Sequence, residues 1–171
     1  MQKLHPTCFV LKSLFAQKAW ANDELFSALA SADTTANAEV FHNAVRVLNH
    51  VFVVDSIFQA HLKGEAHSFE ATNTKETPTR QSLWADVQAL DSWFKRYVDS
   101  LSPKALHEQL AFRFTDGDLG SMSREEMLMH VITHGGYHRG AAGQILRGAG
   151  IAPPRDLYTR YLHMSEPSRR G

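Results

Sequence analysis

The run His130–Arg147, HVITHGGYHRGAAGQILR, decides how the rest of the chain is read. Its histidines at 130, 134 and 138 are four residues apart, and on an α-helix that step puts neighbours about one turn apart on one face. Each neighbouring pair can share a metal ion. The outer two cannot, because about 12 Å of helix axis separates them and one ion reaches only about 2 Å to each ligand. An ion on this helix therefore takes either His130 and His134 or His134 and His138. A helical wheel favours the second pair: Met127, Val131, His134, His138, Ala141, Ala142 and Ile145 form one apolar stripe with two imidazoles at its centre, and His130 lies at its edge. The same pattern also describes core histidines hydrogen-bonded to whatever they meet. A third ligand has to come from another element.

The chain has 171 residues and is 43% hydrophobic, enough for one well-buried core and too short for two, so one domain spanning 1–171 is expected. Lys plus Arg and Asp plus Glu number 18 each, which leaves no basic field to hold nucleic acid. Ten histidines stand out in the composition, and imidazole is the commonest biological metal ligand. The lone cysteine, Cys8, excludes an intrachain disulfide and any cysteine-based zinc or iron–sulfur centre. Lys3 and Lys12 interrupt the apolar N-terminus, and no run reaches membrane-spanning length, so a cytoplasmic protein without a membrane partner is expected.

Apolar periodicity predicts a first helix from Thr7 to Ala30, with Lys18 and Asn22 on the same face as Leu11, Phe15, Leu25 and Leu29. Those two polar residues either mark an irregular stripe or reach a polar pocket in the core. A second helix is expected from Ala36 to Lys63, stopped by Gly64. One of its faces centres on His50, with Val47, Val53, Val54, Ile57 and His61; the other carries Phe41, Val45, Leu48 and Phe52. A helix apolar on two sides is central or half buried against another subunit, and the second arrangement is the one expected here. His50 is the candidate third ligand. Asp55, about 140° around the helix from it, should miss the metal.

Residues Glu65–Thr79 make a polar connection long enough for a lid or crossover. A third helix carries Leu83, Val87, Leu90, Phe94, Tyr97 and Leu101, with nothing chemical on it, and ends at Ser102-Pro103. Leu110–Phe114 followed by Asp116-Gly117 predicts a short hairpin. Ser123-Arg-Glu-Glu126 is a capping box that starts the fourth long helix, which Gly148, Gly150 and Pro153 end. A last turn or two is expected within Asp156–His163, with Leu157, Tyr158, Tyr161 and Leu162 available to pack.

Taken together, the four long helices, Trp20-Ala-Asn22, the helix-2 histidine within Leu48–Phe58 and the run HxxxHRG at His134–Gly140 about 84 residues later resemble the DinB (damage-inducible) family over Phe9–Leu162. That resemblance implies an all-α four-helix bundle in up-down-down-up order, a fit to the long connection after Gly64. It implies a divalent metal, nickel or zinc, on His50, His134 and His138, and a homodimer, for which the stripe Phe41, Val45, Leu48, Phe52 supplies a physical motive. Where many relatives carry a Tyr-Asn pair, this chain has Gln17-Lys18.

Three neutral imidazoles leave one or two positions on an ion open, as in catalytic rather than structural zinc sites. A water or thiol there would be made nucleophilic. The resemblance implies a thiol-dependent transferase or a metal-dependent hydrolase acting on a small molecule, with a low-molecular-weight thiol as partner. The alternative is a non-enzymatic, stress-associated metal-binding bundle. A zinc-protease glutamate is absent, since Gly135, Gly136 and Tyr137 fill the interval. The two glycines leave room for a neighbouring helix or a ligand; Tyr137 is read as packing; Arg139 is expected to meet a carboxylate or an anionic substrate. His130 and His61 are second-rank candidates. His42, His67, His107 and His163 are read as exposed and given no role.

Overall fold

The computed structural model describes residues 6–32 and 37–170, without the side chains of residues 6–8, so the thiol of Cys8 and the expected helix start at Ala36 lie outside what is described. Six helices and one hairpin occur among the described residues: α1 (Pro6–Ser31), α2 (Ala38–Lys63), α3 (Arg80–Ser100), α4 (Pro103–Leu106), β1 (Gln109–Arg113), β2 (Leu119–Ser123), α5 (Arg124–Gly148) and α6 (Tyr158–Ser165). No helix among them is long and apolar enough to cross a membrane.

The termini follow local chemistry. Gly64 stops α2 in the left-handed conformation, φ 70°, which closes the last turn by letting the next amide reach back to the Ala60 carbonyl. Thr79 and Ser102 cap α3 and α4 through their hydroxyls, so Ser102-Pro103 starts a further single turn as well as ending the third helix. Ser123 and Glu126 form the reciprocal capping box at α5. The hairpin pairs Gln109 with Ser123 and Arg113 with Leu119, so Asp116-Gly117 sits within a five-residue loop rather than making a two-residue turn.

Contacts across the bundle fix its topology. Phe15 stacks on Phe94 and Phe26 on Trp84, so α1 and α3 are antiparallel. His130 stacks on Phe58 and His138 meets His50, so α5 runs antiparallel to α2. Gly135 lies against Lys18 and Arg139 bonds Asn22, so α5 is parallel to α1. The long helices are thus up-down-down-up, and the parallel pair α2 and α3 is what requires the connection of residues 64–79 to travel the length of the bundle.

The core divides into two apolar halves. One contains Phe15, Phe58, Phe94, Met127 and Val131; the other contains Leu25, Phe26, Phe41, Leu48, Val87, Ala142 and Leu146. Phe41, Val45 and Leu48, expected to cover a partner subunit, are buried in this second half, and Phe52 packs between both. Helix α2 is apolar on two sides because it is central: α3 and α5 cover it. Phe41, Val45 and Leu48 are covered within the chain itself.

Candidate metal centre

Between the two apolar halves lies a polar layer, to which each long helix contributes at mid-length. On α5 it begins where Val131 gives way to His134; on α2 it occupies the level of His50 and Asp55. His50, His134 and His138 are each half-buried and offer one ring nitrogen apiece, all within 4.8 Å of one another, a group able to hold a metal ion. The His50 and His134 rings are 4.9 Å apart, His50 and His138 4.6 Å, and His134 and His138 4.4 Å between centroids. Nε2 of His50 and Nε2 of His134 are 3.1 Å apart, close to the roughly 3.3 Å expected of two nitrogens on one tetrahedral ion.

The connection after α2 sets the orientation of His50. Its Nδ1–H donates to the Thr72 carbonyl at 2.6 Å, which leaves the Nε2 lone pair facing His134. That carbonyl is fixed in turn. Asn49, fully buried, donates to Asn73 and to Thr74 Oγ1 at 2.6 Å, while Arg46 donates to the Thr74 carbonyl at 2.7 Å. The loop read as a lid or crossover is a crossover that also carries a hydrogen-bond acceptor for the histidine cluster.

Burial and crowding disfavour a charge on the two α5 rings. Burial first, then the neighbouring His138, His50, His130 and Lys18, hold the His134 pKa down to about 3. His138 is lowered by burial and by His50. Neutral imidazoles are the form that binds a cation. His134 Nδ1 is buried without a hydrogen-bond partner among the described residues, so the contacts of this ring are made through Nε2 and its faces.

His130 stacks on Phe58 at 4.6 Å and lies over His134 at 5.3 Å, so it adjoins the cluster without joining the group of three. His61 sits further along α2 against Phe112 and His67. His67 is half-buried rather than exposed, because the loop folds its ring back onto His61 at 5.3 Å. His42, His107 and His163 are exposed as expected. Tyr137 is 75% exposed, which corrects its reading as a packing residue: it lies on the outer side of α5, 5.0 Å from the His138 ring.

The other half of the layer is an ionic network. Lys18, 2% exposed, bonds Asp55 at 2.9 Å and Asp91 at 2.7 Å. Asn22 donates to the second oxygen of Asp91 at 2.7 Å and accepts from Arg139, which also binds Asp156 at 2.7 Å. Lys18 and Asn22 therefore reach a polar pocket. Burial drags the Lys18 ammonium down, but its two carboxylates outweigh burial and leave it raised. Burial pushes Asp55 up to about 6 against the pull of Lys18. Gly135 makes room for this contact, since a Cβ there would stand 3.2 Å from Arg139 Nη1 and 3.4 Å from Lys18 Cε. Arg139 meets a carboxylate, as expected of it.

Asp91 was legible in principle, although nothing on the third helix looked chemical. It lies four residues after Val87 and three before Phe94, inside the buried stripe. Asp55 likewise stands four after Val51 and three before Phe58, both buried. A charge within an apolar stripe is the signal, and Lys18 opposite supplies its complement. Thr72 left no such signal, because it acts through its backbone carbonyl.

The sequence model described as the DinB family matches residues 2–170. The chain belongs to the DinB family. Among curated relatives, this DinB-family chain is 26% identical over 169 residues to "Protein DinB" of Bacillus subtilis (strain 168), an alignment that covers 91% of this chain and 95% of that protein.

Proposed function

We propose that this DinB-family protein is a metal-dependent enzyme in which His50, His134 and His138 hold one divalent ion, and that it transfers a small thiol to, or hydrolyses, a small electrophilic substrate. The observation that carries the reading is the convergence of three imidazole nitrogens, drawn from two antiparallel helices, to within 4.8 Å. The donor set fits a borderline ion such as nickel or zinc: all-nitrogen ligands suit both, and three of them leave a fourth position for a reactant. An ion there supplies Lewis acidity, lowering the pKa of a water or thiol towards neutrality. The chain itself contributes orientation. Thr72 fixes the tautomer of His50, and Tyr137 stands exposed beside His138 at the outer side.

The test is elemental analysis of purified wild type beside His50→Ala, His134→Ala and His138→Ala, together with a turnover screen of the loaded protein against electrophiles with and without low-molecular-weight thiols. Wild type is expected to carry one divalent ion per chain, each variant far less, and turnover to track metal content. Metal retained in all three variants would overturn the ligand set. Stoichiometric metal without turnover of any electrophile would favour the second reading, a metal-binding bundle without catalysis. A 260 Å³ cavity beside Trp20 and Arg139 is lined by none of the three histidines and is separate from the proposed metal centre.

A further inference from the structure

That cavity lies on the side of α5 turned towards α1 and the segment Pro153–Leu157. Its floor is apolar, from Trp20, Leu25 and the two prolines 153 and 154. Helix α5 is bare where it faces the cavity, because Gly140 lines it and a Cβ at Gly140 would meet nothing within 4 Å. The charges are unequal. Both acids of the wall are already engaged, Asp156 by Arg139 at 2.7 Å and Glu24 by Arg160 at 2.8 Å. Arg147 and Arg155, exposed at the rim, have no ion-pair partner among the described residues. An apolar floor under two uncompensated guanidiniums suits one class of molecule.

We propose that this cavity is a second ligand site, independent of the histidine cluster, for a small molecule with a flat apolar body and an oxyanion head, carboxylate or phosphate. The body lies beside Trp20, whose ring also carries Arg160 at 5.6 Å, and against Pro153 and Pro154. The head meets Arg147 and Arg155. At 260 Å³ the cavity falls just below the usual range of about 300–1,000 Å³ for ligand sites, which limits the occupant to one or two fused rings.

The probes are 2-naphthoate, 2-naphthyl phosphate and the neutral 2-naphthamide, titrated into 15N-labelled protein while the Trp20 indole N–H and the Gly140 and Gly143 amides are followed. The two anions are expected to shift these signals with a Kd of about 1 mM, a usual strength for ligands of this size, and the amide to bind more weakly. Replacing both rim guanidiniums, Arg147→Gln with Arg155→Gln, is expected to weaken the anions about tenfold, leaving the amide and the metal content unchanged. Gly140→Leu fills the space from a position with no steric conflict and is expected to abolish binding of all three. If the naphthoate shifts appear instead around His50, His134 and His138, if the anions and the amide bind alike, or if binding survives Gly140→Leu, the site does not exist. Metal content is read in every variant, so failure here is distinguishable from failure of the metal centre.

Discussion

Replacing Lys18 by methionine keeps an unbranched side chain, shorter by the terminal nitrogen, and removes the one cation that Asp55 and Asp91 both bond. Asp91 retains Asn22, which donates to it at 2.7 Å. Asp55 retains no hydrogen bond, only the more distant charge of Arg139: Lys18 is bonded to its Oδ2, and its Oδ1 has no partner among the described residues. A carboxylate left unpaired at full burial costs about 3–5 kcal/mol. Taking a proton instead is no cheaper at pH 7, since lifting a carboxyl from its ordinary value of 3.8 costs about 4 kcal/mol. Lys18→Met should therefore lose about 3–5 kcal/mol, or roughly 10 °C in Tm for a domain of this size.

Acid narrows the gap. In wild type Asp55 is already raised to about 6, so it gains only part of the relief that pH 5 brings, while the variant gains all of it. The difference between them should shrink by about 1 kcal/mol from pH 7 to pH 5. Urea unfolding followed by circular dichroism, with Asp55→Asn and the double variant, completes the cycle. The double variant should recover at least about 2 kcal/mol of the single loss, because the orphaned charge is gone. A loss below about 1 kcal/mol for Lys18→Met, or strict additivity in the cycle, would refute the claim that the ion pair is an energetic unit.

Asn49→Leu removes the buried amide that anchors Asn73 and Thr74, so the Thr72 carbonyl should no longer hold His50; metal affinity should fall about 10- to 100-fold, read by competition with a chromophoric chelator. Gly135→Leu drives a side chain into Arg139 and Lys18 and should cost about 1–3 kcal/mol, whereas Gly140→Ala, with open space around it, should gain about 0.5–1 kcal/mol in thermal melts. For pH, His134 is held below its unfolded value of 6.5, at about 3, so the folded chain binds fewer protons than the unfolded one across that window. Metal-free stability contributed by this ring is present above about 6.5 and lost as pH falls towards 3. The wild-type curve should therefore fall more steeply on acidification than that of His134→Ala, and parallel curves would contradict the assignment.

What could be read from the chain alone follows the range of the interactions involved. The long helices, their caps and the hairpin depend on neighbours within a few residues, and Ser123, Gly64 and the apolar stripes announced them. The histidine cluster was legible for a different reason: His134 and His138 are local to one helix, and only His50 had to be brought from elsewhere. Failures began where a choice depended on what stood opposite. The stripe of Phe41, Val45 and Leu48 looks the same whether a partner subunit or the chain's own α3 and α5 cover it. Thr72 serves through a backbone carbonyl that every residue possesses. Lys18 is intelligible only beside Asp55 and Asp91, which lie 37 and 73 residues away in the chain.

The ionic network and the histidine cluster share one layer, and this placement has a physical reason. Helix α5 must present His134 and His138 to α2, yet its middle carries Gly135, Gly136, Gly140, Ala141, Ala142 and Gly143, whose small side chains do little to fix its rotation. Apolar burial is non-directional and tolerates a turn of the helix about its axis. A guanidinium between Asn22 and Asp156 does not, because its bonds have direction. Arg139 follows His138 by one residue, about 100° around the helix, so fixing Arg139 against α1 fixes the histidines against α2. If that is the work of the network, Arg139→Met should lose metal affinity by more than its loss of stability accounts for, measured by chelator competition in the same buffer as urea unfolding. A variant that binds metal as wild type does, at any stability, would show that α5 needs no such clamp.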